Sequence, residues 1–205
     1  MLKISGPGWA NVIIEGNVVF EGSYLTNMPV DFMMALYDYF NNYDKEDKRF
    51  SSSVYVDCEG GVANFVFTDM VYSGNGQKVF MFYRADTKTG WEIQAFDVDP
   101  YYLANELIDD IEEDFENWVR WGYDDSKKGL QQARKTLSYW LNKLKDVMKD
   151  KKSYAEQFKA WNTPGTPEND EIERVRKLAI ENLENNKNAI PVDHIEKHLP
   201  KDKKN

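Results

Sequence analysis

The sequence predicts an α+β fold: an antiparallel β-sheet with one packed helix, followed by a helical C-terminal region containing an antiparallel helix pair. Three observations carry this. Short apolar runs separated by Gly- and Asn-rich links fill much of residues 1–98. A single helical stripe, near 29–43, interrupts those runs. At Asp99-Pro100 the apolar spacing changes from two to three and four, and it keeps that period afterwards.

Residues 2–5 read as a short strand stopped by Gly6-Pro7-Gly8. Val12-Ile13-Ile14 and Val18-Val19-Phe20 flank Glu15-Gly16-Asn17, a hairpin signal in which Gly and Asn supply positive φ. Asn27-Met28-Pro29 turns the chain into a helix, with Pro29 near the first position, where a missing N–H costs nothing. Phe32, Leu36, Tyr39, Phe40 and Tyr43 form its buried stripe, widened by Met33 and Met34. Residues 44–49 mix both charge signs and read as an exposed loop.

Four strands follow, at 54–56, 62–72, 78–84 and 91–98, separated by Glu59-Gly60-Gly61, Ser73-Gly74-Asn75-Gly76 and residues 86–90. Such short links join antiparallel neighbours, because a parallel crossover needs a dozen residues or more. The third of these strands, Val79-Phe80-Met81-Phe82-Tyr83, is apolar on both faces and needs cover on both. The helices are the available covers, and the first C-terminal helical pair is expected to dock on this sheet.

Pro100, with Asp99 as N-cap, opens a helix whose face carries Leu103, Leu107, Ile111, Phe115 and Trp118 and which runs to about 121, where Gly122 ends it. Asp125 or Ser126 caps a second helix to about 149, with Leu130, Ala133, Leu137, Trp140, Leu144 and Val147 as its seam. The short link makes the two antiparallel. A third helix is expected near 153–161, then the linker Thr163-Pro164-Gly165-Thr166-Pro167, then helical register over 168–186. The organisation is therefore a β-rich α+β domain over 1–98, a helical hairpin and short helix over 99–162 packed on or beside the sheet, and a linker with a C-terminal helical extension over 163–205.

Composition restricts function. Of 205 residues, 41% are hydrophobic and 30% charged, enough for a packed core and against global disorder. No run reaches the roughly 18 apolar residues of a membrane span, and Gly6, Pro7, Gly8, Asn11, Glu15 and Asn17 break any signal-peptide pattern. Cys58 stands alone, so no intrachain disulfide is expected. A net charge of −9 argues against direct nucleic-acid binding through phosphates.

That net figure conceals a division. Residues 1–125 hold 23 acidic and 8 basic side chains, whereas 126–205 hold 12 and 18. The sharpest segment, 92–125, sets twelve carboxylates against Arg120 alone, and 126–152 then sets nine Lys or Arg against Asp146 and Asp150. One explanation is mutual neutralisation of adjacent antiparallel helices. The other is an acidic face left open for a basic partner.

Catalytic motifs are weak by comparison. His194 and His198 have the i, i+4 spacing of a chelating pair, but HIEKH lacks the glutamate position of the zinc-protease helix, and a solvated terminal helix explains it. Asp97-Val98-Asp99 can hold a divalent cation, yet helix capping explains Asp99. Asp57, Asp69, Asp86, Glu92 and Gln94 lie in or beside strands, as in two-metal nucleases, but in the half of the chain with the wrong sign for phosphate. Cys58 has no clustered cation to make a thiolate. Phe65, Phe67, Phe80, Phe82 and Tyr83 have the composition of a base-stacking sheet, but only Lys78 and Arg84 accompany them, which favours core packing.

The function expected is that of a cytoplasmic, non-enzymatic, acidic inhibitor that occupies a basic, nucleic-acid-binding surface of a partner protein, as a phage or mobile-element anti-defence protein would. Asp109, Asp110, Glu112, Glu113, Asp114 and Glu116 are its expected contacts, with no cofactor, metal or membrane involved. An immunity protein neutralising a basic toxin uses the same physics. A metal-dependent enzyme built on Asp57, Glu92, Asp97 and Asp99 is the competing reading. A basic adaptor surface (Lys127, Lys128, Arg134, Lys135, Lys143, Lys145, Lys149, Lys151 and Lys152) is a third.

Overall fold

The computed structural model describes residues 1–42, 51–58, 61–72, 76–87, 90–96, 98, 100–122 and 125–151. Its strands are β1 (Leu2–Gly6), β2 (Trp9–Ile14), β3 (Asn17–Ser23), β4 (Ser51–Cys58), β5 (Gly61–Tyr72), β6 (Gly76–Thr87) and β7 (Gly90–Phe96). Its helices are α1 (Met28–Asn42), α2 (Pro100–Glu113), α3 (Phe115–Val119) and α4 (Lys127–Met148). The strands form two antiparallel sheets, β1-β2-β3 and β4-β5-β6-β7, each in sequence order. This is the expected α+β class. The sequence pattern does not reveal that the strands divide into two sheets separated by α1.

The β2–β3 hairpin departs from expectation in one detail. Its positive φ values fall on Glu15 (49°) and Gly16 (77°), not on Asn17, which already pairs with Ile14. A two-residue hairpin turn of type I′ needs left-handed backbone at both central positions. Glu15 therefore takes a conformation that side chains disfavour, and the Asn17 amide donates to its carbonyl at 3.2 Å. Alternation along β2 then turns Ala10, Val12 and Ile14 inward.

Helix α1 is the centre of the core. Phe32, Leu36, Tyr39 and Phe40 are buried, as their spacing predicts, and so is Met33. Met34 is exposed, a correction that follows from the 100° step: it lies on the opposite side from Phe32 and Leu36. The Phe32 ring packs 5.2 Å from Phe65 and 6.4 Å from Phe67, so α1 covers one face of the β4–β5 pair. Ser52 Oγ donates to the Ala35 carbonyl at 2.7 Å and holds β4 to the helix. On its other side α1 receives α4, with Tyr37 and Trp140 edge-on at 5.9 Å. The helical pair was expected to dock on the sheet. Instead α4 packs chiefly on α1, which already occupies that face, while α2 lies against α1 and β1 and reaches β6.

The helix expected to run unbroken to residue 121 is interrupted. Helix α2 stops at Glu113, and Asp114 (φ −121°, ψ 30°) lies outside helical geometry before α3 begins. Trp118 and Trp121, with ring centres 5.4 Å apart, are both buried. Trp121 Nε1 donates to the Thr26 carbonyl at 3.2 Å, a bond that satisfies a buried indole N–H. Ser126 caps α4, its hydroxyl accepting from the Gly129 N–H at 3.0 Å. The buried positions of α4 are Leu137, Leu141, Leu144 and Met148. Leu130, Ala133, Trp140 and Val147 flank that line half-buried, so the seam is rotated from the expected one. Expectations for 44–49, 153–161, the 163–167 linker and 168–186 lie outside the described residues, as does Asp99 as a cap.

Candidate functional site: the outer face of α2

Burying Leu103, Ala104, Leu107, Ile108 and Ile111 fixes the rotation of α2. The positions left outward are Tyr102, Glu106, Asp109, Glu112 and Glu113. Glu106, Asp109 and Glu113 follow one another at i, i+3 and i+7, in line with Tyr102, so they form a stripe on the side opposite the core. Tyr102 is 52% exposed.

The six carboxylates expected to act together occupy different environments. Asp110 is half-buried and turned toward β1: its Oδ2 accepts from the Leu2 N–H at 2.8 Å and the Met1 ammonium at 2.5 Å. Glu106 lies 3.6 Å from the same ammonium. Glu112 holds Lys145 of α4 at 2.7 Å. Glu116, on α3, takes the Arg134 guanidinium on both oxygens, at 3.3 and 2.5 Å. The hydrogen bond from Arg134 holds the Glu116 carboxyl below the usual carboxylate range; desolvation opposes it, and the charges of Arg134 and Arg120 add to it. Asp114 Oδ1 accepts from the Asn117 side-chain amide at 2.5 Å. Asp109 and Glu113 are exposed and have no hydrogen-bond or ion-pair partner among the described residues. The antiparallel helices thus neutralise one another at two points. Only Asp109 and Glu113 of the six present bare charge, with Glu106 beside them.

The basic helix is divided in the same way. Arg134 and Lys145 serve the acidic helices, and Lys149 pairs with Asp146 at 2.6 Å. Lys143 lies over the Tyr139 ring, 5.7 Å from its centre. Lys127, Lys128 and Lys135 are exposed, toward the N-terminal end of α4, with no ion-pair partner among the described residues. Lys152 lies outside the described residues.

Two carboxylates with raised pKa values carry no signal in the sequence, and both belong to α1. Burial pushes Asp31 up to about 6 and raises Asp38 as well. Their i, i+7 spacing places them on one flank of the helix, but desolvation depends on what packs beside that flank, and no local pattern shows it.

Among the described residues, the competing metal reading gains no geometry. Asp57 anchors main chain: its N–H donates to Thr26 Oγ1 at 2.7 Å, and its carbonyl accepts from Ser23 Oγ at 3.4 Å. In the ladder Glu92 stands opposite Ala85, which opposes Ala63, which opposes Val56. Asp57 falls in the next row of the register, opposite Val62. Asp97, Asp99, His194 and His198 lie outside the described residues. Among the described residues, no three His, Cys, Asp or Glu side chains cluster as a metal requires. Phe65 and Phe67 are fully buried against α1 and serve the core.

No family model, curated protein or solved structure matches this chain. Among the described residues no helix is long and apolar enough to cross a membrane.

Proposed function

We propose that this protein acts in the cytoplasm without catalysing a reaction, as an inhibitor that docks the outer face of α2 on a basic, nucleic-acid-binding surface of a partner protein. A phage or mobile-element anti-defence protein is the setting that fits such an action. The observation that supports this reading is the stripe Glu106, Asp109 and Glu113, exposed on a rigid helix, with no counter-charge on the last two among the described residues. Carboxylates fixed on a helix attract a cationic groove at long range and lose that attraction in salt. Tyr102, exposed in line with them, adds a large side chain of the kind that anchors protein interfaces.

The docking surface proposed here is narrower than six carboxylates. Asp110, Glu112, Asp114 and Glu116 hold groups of the same chain, so they serve the fold first. Affinity capture from the source cell at low and high salt tests the reading, with Asp109→Lys/Glu113→Lys as the comparison. A basic nucleic-acid-handling protein retained at low salt, released by salt and lost with the folded double variant is the expected result. Capture that ignores the charge reversal rejects the α2 surface. A small basic toxin as the retained partner converts the reading to that of an immunity protein.

A further inference from the structure

We draw no further inference here: the strongest candidate, the buried Asn64 side chain in β5, whose amide nitrogen and oxygen both lack a hydrogen-bond partner, carries nothing because no described residue shows what covers that part of the sheet.

Discussion

Glu112 and Lys145 meet at 2.7 Å across the seam between α2 and α4. A carboxylate whose position in an acidic run suggests a contact for a foreign lysine therefore already holds one from its own chain. Two pairs among the described residues, Glu112–Lys145 and Glu116–Arg134, join the acidic and basic segments in this way.

A hierarchy among the α2 carboxylates follows. Asp109→Lys/Glu113→Lys is expected to weaken partner binding about tenfold or more, since each like-charge contact at an interface is unfavourable. Glu112→Gln should change binding by less than about threefold and stability by less than about 0.5 kcal/mol, the scale of an exposed pair. Titration calorimetry with the captured partner, alongside thermal melts, measures both. Equal sensitivity of the two variants would remove the distinction.

Asp31 should make stability depend on pH in a stated direction. Its folded value, about 6, lies above the ordinary 3.8, so the folded state holds the extra proton between those values. Stability from this group is therefore greatest below about pH 4 and declines as pH rises to about 6. Asp31→Asn should then stabilise the protein at pH 7 by about 1 kcal/mol. The full shift corresponds to a larger figure, reduced by the partial exposure of the group and by its favourable place in the first turn of α1. Urea midpoints at pH 4 and pH 7 should show the gain only at the higher pH.

Gly22 lies where β3 passes the start of α1. A Cβ there would stand 2.5 Å from Met28 Sδ and 2.7 Å from Val56 Cγ1. Met28 is fully buried, as is Val56, so neither can swing into water. Gly22→Ala should cost about 1–3 kcal/mol, the range for overpacking a filled core. A denaturation midpoint equal to that of the parent would mean that the contact relaxes without cost.

Asn64 is 2% exposed, and neither amide atom has a hydrogen-bond partner among the described residues. An unsatisfied buried polar group costs about 1–3 kcal/mol, so the apolar Asn64→Leu, similar in shape, should raise stability by about 1 kcal/mol. Chemical denaturation reads this directly. A loss of stability instead would show that the amide has a role in the folded chain.

The elements were legible from the sequence because local chemistry specifies them. Pro29, Gly16 and Ser126 mark turns and caps, and the three-and-four spacing of Leu103, Leu107 and Ile111 marks a buried helical face. The break at Asp114 was not legible, since the apolar spacing runs on through Phe115 and Trp118. It is the burial of Trp118 and Trp121, with the bond from Trp121 to Thr26, that sets the chain's path there.

The sequence by itself determined the α+β class, the order of strands and helices, and the concentration of negative charge around α2 beside positive charge on α4. Only the tertiary structure decided which charges remain free. Ion pairing depends on the rotation and axial offset of two helices, both set by the packing of α2 and α4 around α1. That packing gives Glu112 and Glu116 to Lys145 and Arg134, turns Asp110 toward β1, and leaves Asp109 and Glu113 facing water.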